Sequence, residues 1–157
     1  MYENVKMPEG MNPEVLDHLM NPKNYGKLED ASGVGVALDE KTKEYVIFYT
    51  LLEDSIIQKS SFATNGCQDT VVIGSMFTQM IENNNLEYAN GAIEKMHEKL
   101  GELSPQQAIC AELVFSAFLA SLKNVENKKA GKEEELHMFK MKESCDAVGQ
   151  DNGETDE

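Results

Sequence analysis

The sequence predicts an α+β domain: a three-stranded antiparallel sheet with helices packed on one face. Two observations predict it. From Gly33 to about Ala63 the chain is rich in β-branched and aromatic residues, divided by short polar turns. Beyond Gly66 the apolar spacing becomes helical and stays so. Strands followed by helices, rather than alternating with them, segregate into a sheet and a helical layer. The full length, 157 residues, is that of one ordinary domain with a real core.

Residues 1–11 read as an N-terminal arm, with Pro8 and Gly10 and no apolar period. Asn12-Pro13-Glu14 is a helix start, with Asn as cap, Pro at the first helical position and an acid in the first turn. Val15, Leu16, Leu19 and Met20 supply its apolar stripe, and Asn21-Pro22 ends it. His18, one turn before that stop, is placed where a cation complements the helix dipole. Three strands follow: about Val34 to Leu38, Glu44 to Leu52 and Ile56 to Ala63. Asp39 to Lys43 forms the first turn and Asp54-Ser55 the second. A helix from Val71 to Glu82 ends at Asn83-Asn84-Asn85. Leu86 to Leu100 is a weaker helical stretch, interrupted at Asn90-Gly91.

Ser104-Pro105 opens the most amphipathic helix, carrying Ala108, Ala111, Val114, Phe115, Phe118, Leu119 and Leu122. The main domain is drawn as 12–125. Residues 126–145 are expected to hold a last amphipathic helix with Leu136, Phe139 and Met141, and 146–157 an acidic disordered tail.

Composition excludes several functions. Lysines number 14 against 28 acids, for a formal net charge of −14, and there is no arginine. Such a surface repels phosphate backbones and lacks the planar guanidinium fork that reads them, so no nucleic acid is expected. No uninterrupted apolar run approaches the ~20 residues of a membrane span, and no membrane is expected. The start lacks a signal peptide's basic flank and apolar stretch, so a cytoplasmic setting is expected. His97 and His137 sit among charges and read as solvated surface, and no catalytic triad, phosphate loop or dinucleotide fingerprint occurs.

The chemistry rests on cysteines. Cys67, Cys110 and Cys145 are too few and too widely spaced for a disulfide framework or a zinc knuckle. Cys67 falls where the last strand gives way to a helix, and unpaired N–H groups at such a start favour thiolate. A buried, purely structural cysteine fits that position equally well. Cys110 lies among apolar neighbours in the Ser104-capped helix, and Cys145 opens the acidic tail.

Val15-Leu16-Asp17-His18, Asn21-Pro22-Lys23-Asn24-Tyr25-Gly26, Gly33-Val34-Gly35 and Phe62-Ala63-Thr64-Asn65-Gly66-Cys67 occur in this order. Together with Cys110-Ala111-Glu112-Leu113, they resemble the NifU/IscU-type iron–sulfur cluster assembly scaffolds over roughly Asn12 to Leu122. The resemblance implies a non-enzymatic protein that holds a transient 2Fe–2S or 4Fe–4S cluster, iron or zinc. It implies a cysteine desulfurase as sulfur donor and apo-proteins as acceptors. Cys67 and Cys110 are the ligands it transfers to this chain. The family's Cys-Gly-Asp motif would fall on Lys41-Thr42-Lys43, and its histidine before the last cysteine on Ile109.

Two thiolates do not close a tetrahedral site. A symmetric homodimer sharing two Cys67 and two Cys110 is one completion. Cys145, Asp69 or an external thiol is another. The third possibility is a cluster-free homologue acting as an interaction or regulatory partner of the assembly machinery.

Overall fold

The computed structural model describes residues 13–66 and 68–141. Helix α1 (Pro13–Met20) is followed by strands β1 (Gly33–Asp39), β2 (Tyr45–Glu53) and β3 (Ile56–Thr64). Helices α2 (Gln68–Ile81), α3 (Leu86–Leu100) and α4 (Pro105–Lys129) come next, then strand β4 (His137–Met141). The first three strands form the expected antiparallel meander. Asp54 and Ser55, both at positive φ (53° and 64°), make the tight turn that matches strand twist.

The sheet order is β3-β2-β1-β4, and β4 runs parallel to β1 from Gly35↔His137 to Asp39↔Met141. This corrects the expected C-terminal helix over 126–145. Residues 126–129 finish α4, so the boundary drawn at 125 falls inside a helix. Apolar residues at 136, 139 and 141 suit a helical stripe, but half-buried His137, Phe139 and Met141 alternate with exposed Met138 and Lys140, the period of a strand. α3 is also continuous through Asn90-Gly91. The arm, Cys67 and the residues from 142 onward, Cys145 and the acidic tail included, lie outside the described residues.

Buried Val46, Phe48 and Thr50 share one face of β2. Phe48, Phe77, Phe115 and Phe118 pack edge to face at centroid distances of 5.2 to 6.1 Å and form the centre of the core. α4 is long and apolar enough by length and composition to cross a bilayer. Here it is the core helix, with most of its length buried against β1, β2 and α2. Ser104 caps it reciprocally: its Oγ accepts from Gln107 N at 3.2 Å, and Gln107 Oε1 accepts from Ser104 N at 3.1 Å.

The approach of α4 to β1 depends on glycine. A Cβ on Gly35 would collide with Ser121 N and Ala117 O, and one on Gly33 with Ser121 O.

The connection from α4 to β4 is fastened by buried Asn124. Its Oδ1 accepts from Val34 N at 2.9 Å, and its Nδ2 donates to Glu134 O and Oε1 at 3.2 and 3.0 Å. Asn127 and His137 also bind the Glu134 carboxylate, at 2.9 and 3.0 Å. These hydrogen bonds, led by those from Asn127 and His137, pull the Glu134 pKa down to about 2. His137 is therefore half-buried and hydrogen-bonded to Glu134 rather than simply solvated, while exposed His97 packs edge to face with Phe115.

His18 differs from its expected role as a cation complementing the helix dipole. It is 2% exposed, and its Nδ1 lies 2.6 Å from Ser75 Oγ on α2. Desolvation lowers its pKa below 6.5, and nearby Lys23 and Lys99 act the same way against Glu14 and Asp17. The unfolded chain therefore takes up this proton more readily than the folded one. The stabilisation from neutral His18 is complete above pH 6.5 and declines as the pH falls below it. The melting temperature of the wild type should drop more steeply between pH 7.5 and 5.5 than that of His18→Gln, as thermal denaturation by circular dichroism will read.

Candidate functional site

One end of the sheet carries the lysine-bearing turn and the junction that leads into Cys67. The β1–β2 turn is held by Asp39, whose backbone N donates to Glu44 O at 2.8 Å and whose Oδ1 accepts from Lys41 N at 3.0 Å. Lys43 takes a positive φ of 69° to complete the turn, and Lys41, Thr42 and Lys43 are all exposed.

The β3–α2 junction is stitched to this turn. Thr64 Oγ1 donates to Tyr45 O at 2.6 Å and accepts from Gly66 N at 2.9 Å. Asn65 Oδ1 accepts from Tyr45 N at 2.8 Å, and its Nδ2 donates to Lys43 O at 3.2 Å. On the other side, Tyr25 OH donates to Thr64 O at 3.0 Å. Five hydrogen bonds thus fix the backbone that leads into Gly66. Cys67 lies outside the described residues, but Gly66 and Gln68 on either side of it end this clamp and open α2.

Cys110 is buried in α4, with Gln106 Nε2 3.7 Å from its Sγ. The packing register tells which end of the sheet it serves. Gly33 faces Ser121 and Val125, while Gly35 faces Ala117 to Ser121. Two strand residues advance ~6.6 Å and four helical residues ~6 Å, so α4 runs antiparallel to β1 almost residue row by row. Continuing ~13 Å along β1 to Asp39 moves about nine residues back along α4, to Cys110. The thiol is therefore level with the turn and the clamp.

Two buried side-chain oxygens in this region have no hydrogen-bond partner among the described residues: Thr70 Oγ1 in the first turn of α2, and Glu44 Oε1. Glu44 is paired with Asp39 across the strands, so both side chains project from the sheet face that α4 covers. Ile109, where the resemblance expects a histidine, packs instead against the core. Among the described residues no three His, Cys, Asp or Glu side chains gather as a metal-ligand group.

The clamp residues Tyr25, Thr64 and Asn65 carry roles that the sequence reading did not assign. Their only signal was their place inside the two segments that carry the resemblance.

Residues 11–132 match the family model described as the NifU-like N terminal domain. This chain belongs to that family. The NifU-like domain here is 33% identical over 126 residues to the iron-sulfur cluster assembly scaffold protein IscU of Aquifex aeolicus, covering 78% of this chain and 80% of that protein. It is 31% identical over 136 residues to the scaffold protein IscU 1 of Archaeoglobus fulgidus, covering 85% and 89%. Its fold is similar to that of a putative scaffold protein for the SUF system from Fervidobacterium islandicum. That match has a TM-score of 0.59 at 16% identity and covers 71% of this chain and 96% of the other. A NifU-like protein (N-terminal) from Brucella abortus matches with a TM-score of 0.57 at 16% identity, covering 74% and 94%.

Cys67, Cys110 and the lysine-bearing turn all lie within the matched span of the NifU-like domain. β4 and Cys145 lie beyond it.

Proposed function

We propose that this NifU-like domain is a scaffold for iron–sulfur cluster assembly, with iron and sulfide as its cargo and Cys67 and Cys110 as thiolate ligands. The observation that carries the reading is the convergence of two elements on one end of the sheet. The clamped junction flanking Cys67 and the α4 register that brings Cys110 level with Asp39 meet there. Soft thiolates suit iron and zinc. The relatives from Aquifex aeolicus and Archaeoglobus fulgidus, matched over 80% and 89% of their length, carry the scaffold name. In this reading the protein is a carrier rather than an enzyme. A cysteine desulfurase supplies the sulfur, and apo-proteins accept the assembled cluster, of 2Fe–2S or 4Fe–4S type.

The donor set is incomplete within one described chain, since two thiolates leave a four-coordinate iron unclosed. The remaining ligands come from Asp69, from a second copy, from an external thiol or from residues outside those described.

Anaerobic reconstitution of the full chain with ferrous iron and sulfide should give visible charge-transfer absorption, and Cys67→Ser or Cys110→Ser should each abolish it. A folded wild-type protein that stays colourless and iron-free overturns the reading.

Exposed Lys41 and Lys43, where the resemblance expects Cys-Gly-Asp, favour a second reading: a cluster-free homologue that binds the assembly machinery. Undiminished capture of a cysteine desulfurase by the Cys67→Ser/Cys110→Ser double variant would support it.

A further inference from the structure

We infer that the buried His18–Ser75 pair is a proton-operated latch on the segment Lys23–Gly26. When His18 takes up a proton, α1 and that segment lift from α2, and the outer edge of β3 is released while the β1–β2 ladder stays closed. The inference goes beyond the scaffold reading and does not depend on it.

The hydrogen bonds set the direction of the proton. Lys23 N donates to Ser75 Oγ at 2.7 Å, so this hydroxyl already receives one hydrogen bond. Its own single proton goes to His18 Nδ1, 2.6 Å away, which is then the unprotonated ring nitrogen. Neutral His18 thus accepts. A protonated ring has a donor at both nitrogens and no acceptor, so the Ser75 proton loses its partner.

The charged groups around the ring are Glu14 and Asp17 of α1, Lys23, and Lys99 of α3, while α2 meets it with the Ser75 hydroxyl. Neither carboxylate stands ready to pair with an imidazolium. Asp17 is occupied by Lys23 Nζ at 2.7 Å and Asn21 Nδ2 at 3.3 Å, and Glu14 by Lys99 Nζ at 3.1 Å. Burial outweighs all four charges and favours the neutral ring. A charge on a side chain 2% exposed is relieved most directly by bringing the ring to water.

What moves with the ring is a short piece of chain. α1 is 8 residues long and packs on α2. The segment after it is fastened to α2 at two points: Lys23 N on Ser75 Oγ, and Asn24 Nδ2 on Thr78 Oγ1 at 3.2 Å. It then pairs with β3. Phe62 N donates to Asn24 O at 3.1 Å, Gly26 N donates to Phe62 O at 2.8 Å, and Tyr25 OH donates to Thr64 O. The segment is therefore a strap along the outer edge of β3, the strand whose inner edge pairs with β2. α1 and the strap share Ser75 as an anchor, so one protonation there loosens both. Pieces of this size open without unfolding the whole domain.

Native-state amide exchange of the full wild-type chain is the test, read by NMR at pH 7.5 and 5.5 and corrected for intrinsic rates. Protection of the Gly26 and Phe62 amides should lie at least ~10-fold below that of the β1–β2 ladder at both pH values. It should fall by ~3- to 10-fold on acidification, the upper figure being the limit for one proton on a group whose ordinary value is 6.5. His18→Gln should abolish that fall. The ring supplies a second readout: its nitrogen shifts at pH 7.5 should report the Nε2–H tautomer. If Gly26 and Phe62 are as protected as the ladder, or their protection is the same at both pH values, the inference is overturned. An Nδ1–H ring, or a fall undiminished in His18→Gln, overturns it as well.

Discussion

Gly35→Ala is expected to destabilise the protein by at least about 3 kcal/mol, among the largest effects of any single methyl group added to this chain. The added Cβ would overlap Ser121 N and Ala117 O, and these are backbone atoms inside a continuous helix that cannot rotate away as a side chain would. Relief requires α4 to lift from β1, which opens the contact between β1 and the Phe48–Phe118 core. Lifting α4 also moves Cys110 away from the Asp39 end, so metal uptake should fall together with stability. Gly91→Ala is the control. Gly91 is an exposed interior residue of α3 with no atom within 4 Å of a new Cβ, and alanine there should stabilise by ~0.5–1 kcal/mol. Urea denaturation of the two variants measures the difference directly.

Phe118→Ala should cost ~3–5 kcal/mol, lowering the melting temperature by about 10 °C or more. Phe118 is fully buried and stacks edge to face on Phe48 at 5.3 Å and on Phe77 at 5.2 Å. It thus joins the sheet, α2 and α4 through one ring. The next residue, Leu119, is 40% exposed, so Leu119→Ala should lie within ~1 kcal/mol of wild type. A loss at Phe118 comparable to that at Leu119 would mean the ring is not the junction described.

Signals carried within a few residues were legible in the sequence. Ser104-Pro105 announced α4, Asp54-Ser55 announced the β2–β3 turn, and the β-branched run at 45–53 announced a central strand. Features that depend on distant partners were not. The environment of His18 is set by Ser75, 57 positions away, and no local pattern reports that contact. β4 is only five residues long, and its apolar residues sit at spacings that suit a helix; its partner strand and the Glu134 clamp decide the outcome. At the site, the cysteine positions were readable as types at a spacing. The hydrogen bonds of Thr64 and Asn65 that hold the junction needed coordinates, because each joins β3 to a turn some 20 residues earlier.

The parallel pairing of β4 with β1 joins residues about 100 positions apart, whereas β1, β2 and β3 are linked by short turns. In kinetic terms the meander can zip locally, but the fourth strand must wait until three helices have been laid down. β4 is then the last strand to join and, as a five-residue edge, the first to leave. Amide exchange at 137–141 should outpace that of β2 for this reason. A peeling of this edge, at the end where Cys110 lies, leaves the phenylalanine core closed. A protein that must both hold and surrender its cargo has in this edge a low-energy opening that does not require melting the domain.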